Sequence, residues 1–468
     1  MSKTSPSFGP LAEVLLFVTL LAVAVPPLIA YSRTPSSTLY NQLAALGGSG
    51  LLLMVLAPYM RAARGLPAGV WALLVLTAAM LASPFWTELP LSLALCNSGM
   101  TAAALALMLA GARLDAAARS QAFEALAWAL LLAGAASVGV CLVQVFAPDL
   151  VNSNAIAHSG VPGRAVGNMR QPNHLASLLL WGAIAATYLA QRRRLPLAVF
   201  GVLIFGFMLS LVMAASRTGY IGIGLLVLWG LLDRQLGRGV RALLVAAPLM
   251  FFAAYELMAA WAHAGGHAFG AESRMSEGAG SPARVAILRN AWTLVTMHPW
   301  TGVGWGEFNL AWTMTPFPDR PIAFFDHTHN LPMQLLVELG APLALLVMGL
   351  MSWSFWRLSR AAWLASDERA TLLRSAFMLV LMIGLHSIFE YPLWYAYFLL
   401  PAAYAFGLGL GSEEGAARPA PLLRPLAGVA GAVIVLSSVA AYFDYQRIVV
   451  IYAPPEKAAP LMARIADG

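Results

Sequence analysis

A polar, histidine-rich segment from Phe325 to Asn330 precedes an apolar run that extends from Leu331 to Trp356. A neutral imidazole at a membrane boundary is suited to accepting a proton from a hydroxyl group near neutral pH. Unpaired polar groups cost several kcal/mol in hydrocarbon, so such a cluster must be hydrated or functional. We therefore predict that His329 is a general base and Asn330 a candidate supporting residue. His327 either supports His329 or is simply exposed.

Four arginines outside the apolar runs are candidates for binding a phosphate group. Arg217 lies in a very short connection that holds no carboxylate, and Arg170 precedes another apolar run. Arg284 and Arg289 lie on a predicted amphipathic helix, 283–297. A planar guanidinium can hold a phosphate with two parallel hydrogen bonds, which favours a substrate diphosphate as the ligand. The alternatives are contact of Arg217 with lipid phosphate and a solvated helix face for the other two arginines.

The paired histidines also raise the alternative of a metal site. Side chains at positions i and i+2 converge poorly on one ion in a helix, and no further Cys or His lies at metal-ligand spacing. We therefore predict no metal and no cofactor. Other polar residues at the ends of apolar runs are candidate supporting groups: Gln171, His174, Glu390 and Tyr391. His386 is interpreted as a packed core residue.

The elements that must position these residues are membrane helices. Hydrophobic residues make up 60% of the 468-residue chain and charged residues 10%, which excludes an ordinary soluble domain. Apolar runs of about twenty residues are long enough to cross a bilayer. They recur at 11–31, 38–60, 67–86, 89–112, 121–147, 172–191, 195–215, 218–233, 239–261, 331–357, 370–389, 391–411 and 423–443. Because 218–233 is short and 391–411 closely follows its neighbour, we predict an all-α polytopic membrane protein with about 12–13 transmembrane helices.

The distribution of arginine predicts the orientation. Connections such as 192–194 and 357–374 are rich in arginine, whereas 388–391 has no basic residue. This alternation places the N-terminus in the cytoplasm and the long gaps 148–171 and 262–330 outside. The net charge of +7 then reflects anchoring to anionic membrane lipids and not nucleic-acid binding.

Four consecutive segments follow from this topology. Residues 1–147 are N-terminal transmembrane helices, and 148–261 are central helices with a short outer loop. Residues 262–330 form an outer loop that carries amphipathic helices and covers the active site. Residues 331–468 are C-terminal helices and a short tail on the outer side.

Several motifs occur in a characteristic order along residues 165–400. They are GNMRQPNH at 167–174, SRTG at 216–219, HPWTGVG at 298–304, the pair His329-Asn330 followed by Gly340, and HSIFEYPLWY at 386–395. Together they closely resemble the O-antigen ligase, O-antigen polymerase and protein O-oligosaccharyltransferase superfamily. The resemblance implies transfer of a glycan from undecaprenyl diphosphate at the periplasmic face of the bacterial inner membrane. By motif, the essential arginines and histidine of family ligases correspond to Arg217, Arg284 and His329.

The resemblance implies an inverting, metal-independent glycosyltransferase, with an O-antigen ligase that acts on lipid A–core as our first expectation. The segments QPNH and EYPLWY look more like the branch that modifies Ser or Thr of pilin-like proteins, whereas the short chain after Phe443 fits a lipid acceptor. A polymerase, whose acceptor is another lipid-linked glycan, stays open. The alternative from another class is a transporter of a lipid-linked anion. The crowding of ionisable groups at one membrane face, without internal repeats, favours an interfacial enzyme.

Overall fold

The computed structural model describes residues 10–62, 65–87, 89–152, 154–276, 282–411, 418–452 and 460–467. Most of these residues are helical, and strands are nearly absent among them. The α-helices are α1 (Pro10–Thr19), α2 (Leu39–Leu56), α3 (Ala68–Ala82), α4 (Leu91–Arg113), α5 (Ala116–Phe146), α6 (Pro172–Gln191), α7 (Leu197–Ala214), α8 (Arg217–Leu232), α9 (Arg238–Val245), α10 (Ala247–Gly265), α11 (Gly270–Ser276), α12 (Pro282–Met297), α13 (Phe308–Met314), α14 (Leu331–Leu364), α15 (Arg369–Phe389), α16 (Ala396–Leu410), α17 (Leu423–Ile451) and α18 (Leu461–Asp467).

Short elements join some of these helices. A π-helix spans Leu20–Ala24, and 3-10 turns span Pro26–Leu28, Ala57–Tyr59, Ser83–Phe85, Pro148–Leu150 and Pro392–Trp394. The strand β1 (Arg61–Ala62) pairs antiparallel with β2 (Arg418–Pro419). The predicted all-α fold is thus confirmed, and the predicted amphipathic helix 283–297 corresponds to α12.

The apolar helices agree with the predicted runs in position, although some are shorter than expected. Within the described residues, 9 helices are long and apolar enough to cross a membrane, or up to 10 if the bent pair α9 and α10 forms one span. The apolar helices Leu11–Ala24, α8 and α16 are shorter than this. The predicted number of about 12–13 spans is therefore higher than the number of full-length apolar helices, because it counted these three shorter ones.

One compact unit comprises the chain up to Met60, Ala116–Arg274 and the chain from Ala420 onward. Within it, α6 is buried on nearly every side, as expected for a helix that is apolar all round. Helices α2 and α17 approach closely where Gly50 faces Gly431, since a Cβ atom at Gly50 would lie 2.6 Å from the Gly431 carbonyl oxygen. Small residues permit such backbone contact between membrane helices.

The other compact unit comprises Arg61–Asp115 and Met275–Pro419. Its helix α14 is broken at Gly340, where φ is 73° and ψ is 166°. The part of α14 before the break packs through Val337 against Ile287 and Leu294 of α12. On another side, Leu335 and Leu339 pack with Trp305. The first turns of α14 are therefore enclosed by the segment that precedes them in the chain.

Arginines complete the ends of several helices. Arg164, Arg241 and Arg464 donate to carbonyl groups at the C-terminal ends of α7, α8 and α17, and Arg374 does so at the end of α14. The last carbonyl groups of a helix have no partner within the helix and carry partial negative charge, so a guanidinium stabilises them. These arginines therefore contribute to the fold as well as to the charge distribution.

Candidate active site

His329 stands immediately before α14 in a backbone conformation that L-residues rarely adopt. Its φ is 55°, in the left-handed region. Asn330 is the N-cap of α14, and its side-chain oxygen accepts the N–H of Met333 at 2.9 Å. A left-handed residue other than glycine persists only where its surroundings hold it, and such residues cluster at functional sites. The backbone therefore marks His329 as a candidate functional residue.

Glu390 is the partner of His329. Nδ1 of His329 lies 2.6 Å from Oε2 of Glu390, while the guanidinium of Arg284 donates to Oε1 of the same carboxylate. The Glu390 side chain is only 3% exposed, compared with 17% for His329 and 39% for Arg284. A buried carboxylate requires charged or hydrogen-bonding partners, and these two residues supply them.

The electrostatic surroundings keep Glu390 ionised. Burial alone would raise the pKa of this carboxyl group, but the hydrogen bond with His329 and the charge of Arg284 outweigh burial and leave the pKa below its ordinary value. An ionised carboxylate accepts hydrogen bonds and does not donate them, so Nδ1 of His329 must carry the proton. In a neutral ring, Nε2 is then the basic nitrogen.

Nε2 of His329 is available to a substrate. It has no hydrogen-bond partner among the described residues. The ring is flanked by Phe325 and Tyr391, which it meets edge-on at centroid distances of 5.5 and 4.9 Å. An imidazole oriented by a carboxylate at one nitrogen and open at the other is the arrangement of a general base.

Asn330 links the two segments that carry this pair. Its side-chain amide donates to the carbonyl oxygen of Ile388 at 3.0 Å. Ile388 lies two residues before Glu390 at the end of α15, and Asn330 directly follows His329. This hydrogen bond therefore joins the start of α14 to the end of α15, and a supporting role of Asn330 in the reaction stays a prediction.

The glycine-rich turn after α12 fits into the break of α14. The N–H groups of Val303 and Gly304 donate to the carbonyl oxygens of Val337 and Glu338, at 2.9 and 3.1 Å. A Cβ atom at Gly340 would lie 2.4 Å from the carbonyl oxygen of Trp300, so a side chain has no room there. The turn replaces helical hydrogen bonds that α14 loses at the break and holds the first part of this helix in place.

Aromatic rings surround the neighbouring His327. Its ring stacks on Tyr391 at 4.4 Å and meets the edge of Trp394, which in turn stacks on Trp305. Nδ1 of His327 lies 3.2 Å from Oδ1 of Asp326. The contact with His327 lowers the pKa of Asp326, whereas burial raises the pKa of Tyr391. His327 thus packs beside the site and is not simply exposed.

Arg289 differs from Arg284 in its surroundings. Five helical positions rotate a side chain by about 140° relative to the first, so the two arginines lie on different sides of α12. Arg289 is 67% exposed, and it lies 3.4 Å from the exposed carboxylate of Asp319. Only Arg284 of this predicted pair contacts Glu390.

The remaining predicted residues lie in the first unit. Gln171 is the N-cap of α6, where its side-chain oxygen accepts the N–H groups of Asn173 and His174. Arg170 has a φ of 57°, and its guanidinium donates to backbone carbonyl groups, including that of Ser37 at 3.3 Å. Burial lowers the pKa of Arg170. These contacts give Gln171 and Arg170 structural tasks, and phosphate binding by Arg170 stays a prediction.

Arg217 begins α8 directly after a tight turn. Ala215 in this turn has a left-handed φ of 49°, and the Ser216 hydroxyl donates to the side-chain oxygen of Asn173 at 2.7 Å. Arg164 supports the turn by donating to the carbonyl oxygens of Ala214 and Ala215. The turn that carries Arg217 is therefore well defined, and its role as a phosphate ligand stays a prediction.

No group of three or more His, Cys, Asp or Glu side chains suited to a metal ion occurs in the part of the chain that the structure describes. Any role of metal in the reaction is a matter for experiment.

Comparison with known proteins relates the chain to enzymes of glycan assembly. Residues 200–348 match a family described as O-antigen ligase, 374–466 one described as virulence factor membrane-bound polymerase, C-terminal, and 165–190 one described as protein glycosylation ligase. A general O-oligosaccharyltransferase of Acinetobacter baylyi is 25% identical over 53% of this chain and 45% of that protein. A ComP-specific O-oligosaccharyltransferase of the same species is 24% identical over 60% of this chain and 50% of that protein.

These similarities support a place for the chain in the O-antigen ligase, O-antigen polymerase and protein O-oligosaccharyltransferase superfamily. The chain spans about half the length of the curated relatives that it matches. The segment that matches O-antigen ligase contains Arg217, Arg284 and His329. Glu390 lies in the separately matched segment 374–466.

The sequence analysis did not predict two groups of contacts near His329. One is the insertion of the glycine-rich turn at Gly340, and the other is a hydrogen-bonded chain through Thr328, Gln334 and Glu338. A polar pair four residues apart in an apolar run, as at Gln334 and Glu338, is a sequence signal that could have identified the second group.

Proposed function

We propose that this protein transfers a glycan from a lipid-linked diphosphate to a hydroxyl group of an acceptor. The observation that carries this proposal is the contact of Glu390 with both His329 and Arg284. It joins a candidate base to a cation through one buried carboxylate. Similarity to the superfamily supports undecaprenyl diphosphate as the donor and the periplasmic face of the bacterial inner membrane as the place of reaction. The distribution of arginine supports a cytoplasmic N-terminus.

In the proposed reaction, Nε2 of His329 accepts the proton of the acceptor hydroxyl. The hydroxyl oxygen forms a bond to the anomeric carbon while the bond from that carbon to the diphosphate oxygen breaks. The electron pair leaves with the diphosphate. Attack from the face opposite the leaving group inverts the anomeric configuration and forms no glycosyl-enzyme. Glu390 stabilises the positive charge that develops on His329.

The departing diphosphate needs cations that are already in position. Arg284 uses one guanidinium nitrogen for Glu390, and a guanidinium carries five N–H donors, so others can reach a phosphate oxygen. We assign a second phosphate contact to Arg217, on the basis of the motif. Arg170 is a further candidate, and Arg289, which is 67% exposed and faces Asp319, is the weakest of the four. With guanidinium groups in this role, the reaction requires no divalent metal.

The comparisons favour a protein as the acceptor, with Ser or Thr as the modified residue. Both curated relatives are O-oligosaccharyltransferases, and residues 165–190 match the family of protein glycosylation ligases. The second candidate is lipid A–core, because the longest family match, 200–348, is to O-antigen ligase. The match at 374–466 to a membrane-bound polymerase supports a growing lipid-linked glycan as a third acceptor.

The test is to incubate the purified protein with an undecaprenyl-diphosphate glycan and, separately, a Ser-containing pilin, lipid A–core or a second lipid-linked glycan. Chelator is present throughout, and intact mass and gel mobility report transfer. Transfer to the pilin supports the oligosaccharyltransferase, and transfer to lipid A–core alone replaces it with the ligase. If neither the wild type nor the His329→Ala variant transfers glycan to any of these acceptors, the proposed transferase activity is refuted, and a carrier of lipid-linked anions is favoured.

A further inference from the structure

The residues on either side of His329 are held by separate hydrogen bonds. Asn330 follows His329 and is fixed to Ile388. Thr328 precedes it, is 1% exposed, and donates its hydroxyl to the Asn330 carbonyl oxygen at 2.9 Å. The left-handed backbone at His329 costs free energy, so it depends on these restraints on both sides.

The restraint on Thr328 comes from α14. Its backbone N–H donates to Oε1 of Gln334 at 2.7 Å. The amide nitrogen of Gln334 then donates to Oε1 of Glu338 at 2.9 Å. Both side chains are 2% exposed, and residues four apart lie on the same face of a helix. A buried amide that uses both ends in this way has a single favourable orientation.

Glu338 is itself fixed by the glycine-rich turn. Its carbonyl oxygen accepts the N–H of Gly304, and the next residue, Trp305, donates its N–H to the Ser83 hydroxyl at 3.0 Å. A continuous series of contacts therefore leads from this turn through Glu338 and Gln334 to the residue before His329. Neither the Gln334 nor the Glu338 side chain forms a hydrogen bond with the ring of His329.

We propose that Gln334 and Glu338 are positioning residues that hold His329 in its left-handed conformation and so direct its ring towards Glu390. This inference rests on the proposed function, because it assigns the two residues to the orientation of the proposed base. The hydrogen bonds fix the backbone at Thr328, and the backbone at His329 fixes the direction of the imidazole. Turnover then depends on a buried amide and carboxyl that touch no substrate.

The test uses Gln334→Met, which preserves the volume of the side chain and removes both of its hydrogen bonds. Because a displacement of about 1 Å can reduce a rate by about a hundredfold, we expect kcat to fall at least about tenfold with the donor KM within about twofold. Glu338→Leu should behave similarly. Glu338→Gln retains an oxygen that accepts from Gln334, so its kcat should stay within about threefold of the wild type.

A second measurement follows the position of His329 without requiring activity. Diethyl pyrocarbonate modifies accessible neutral histidine rings, and fragment masses distinguish His329 from His327 in one peptide. We expect the ratio of the two modification rates to change at least about threefold in Gln334→Met and to be preserved in Glu338→Gln. The matched control is Leu335→Met, a buried apolar change at the adjacent position.

The inference is overturned if Gln334→Met keeps wild-type kcat and wild-type histidine reactivity. Equal losses in Gln334→Met and Leu335→Met would also overturn it, since they would indicate disturbed packing alone. If the wild-type protein transfers no glycan, the proposed function fails, and the reactivity ratio still decides whether Gln334 positions His329.

Discussion

Replacement of Glu390 by Gln tests the electrostatic part of the proposed mechanism. The substitution retains the shape of the side chain and an oxygen that can accept the Nδ1 proton of His329. It removes the negative charge that now lies between His329 and Arg284. The reaction places a positive charge on His329, so the lost interaction is one that strengthens in the transition state.

The geometry gives the size of the effect. Unit charges about 4 Å apart attract by about 4 kcal/mol at an effective dielectric constant of about 20. Nδ1 of His329 is 2.6 Å from the carboxylate oxygen, and Glu390 is almost completely buried, so this range applies. Since about 1.4 kcal/mol corresponds to a tenfold rate and the amide keeps part of the interaction, we expect kcat to fall about a hundredfold.

The assay is glycan transfer by purified protein in detergent, with kcat and the donor KM determined separately. The KM should change little, because the lost interaction belongs to the transition state. Asp319→Asn is the matched control, since it removes the carboxylate that faces Arg289 at an exposed site, where an ion pair contributes little. A Glu390→Gln protein that elutes as a folded monodisperse species and keeps kcat within about threefold of the wild type would refute the reasoning.

Three further predictions concern the phosphate ligands, the break in α14 and the dependence on pH. Arg217→Ala should raise the donor KM at least about tenfold, whereas Arg289→Ala, at an exposed position, should change it less than about threefold; equal effects would contradict this distinction. Gly340→Ala should lower the free energy of unfolding by at least about 2 kcal/mol, because φ is 73° and a Cβ atom has no room. Thermal unfolding in detergent measures this loss of stability, and an unchanged unfolding midpoint would contradict the prediction. Glu390→Gln should lower the stability of the protein by an amount that is constant above about pH 4.3, the ordinary pKa of glutamate. This difference from the wild type should disappear as the pH falls through the pKa of Glu390 in the folded protein, which is lower. A difference in stability that persists in strong acid would contradict this ion-pair account.

The helices could be predicted from the sequence because hydropathy records them directly. Each predicted apolar run corresponds to a helix, except that 239–261 corresponds to the bent pair α9 and α10, and the predicted bounds of α12 agree with the structure to within one residue. The sequence did not reveal how far the shorter helices extend. Helix α16 begins only at Ala396, because Pro392 and the residues around it form a separate turn. Apolar aromatic residues in such a turn have the same hydropathy as those in a helix.

The candidate site could be predicted only in part. His329, Arg284 and Glu390 were each singled out, but nothing in the sequence links residues separated by 106 or 61 positions. The different surroundings of Arg284 and Arg289 could be predicted, because helical periodicity places the two side chains on different sides of α12. The left-handed backbone of His329 could not be predicted from the sequence. It depends on the hydrogen bonds of Asn330 with Ile388 and of Thr328 with Gln334, which form only in the folded chain.

The central claim is that His329 accepts the proton of the acceptor hydroxyl, and His329→Gly tests it most directly. Glycine adopts a φ of 55° without strain, so this variant removes the imidazole and preserves the backbone. Glycan transfer to the accepting pilin or lipid is measured with and without free imidazole in the buffer. The account predicts that the variant is inactive alone and regains transfer as imidazole is added. Undiminished transfer by His329→Gly without imidazole would contradict it.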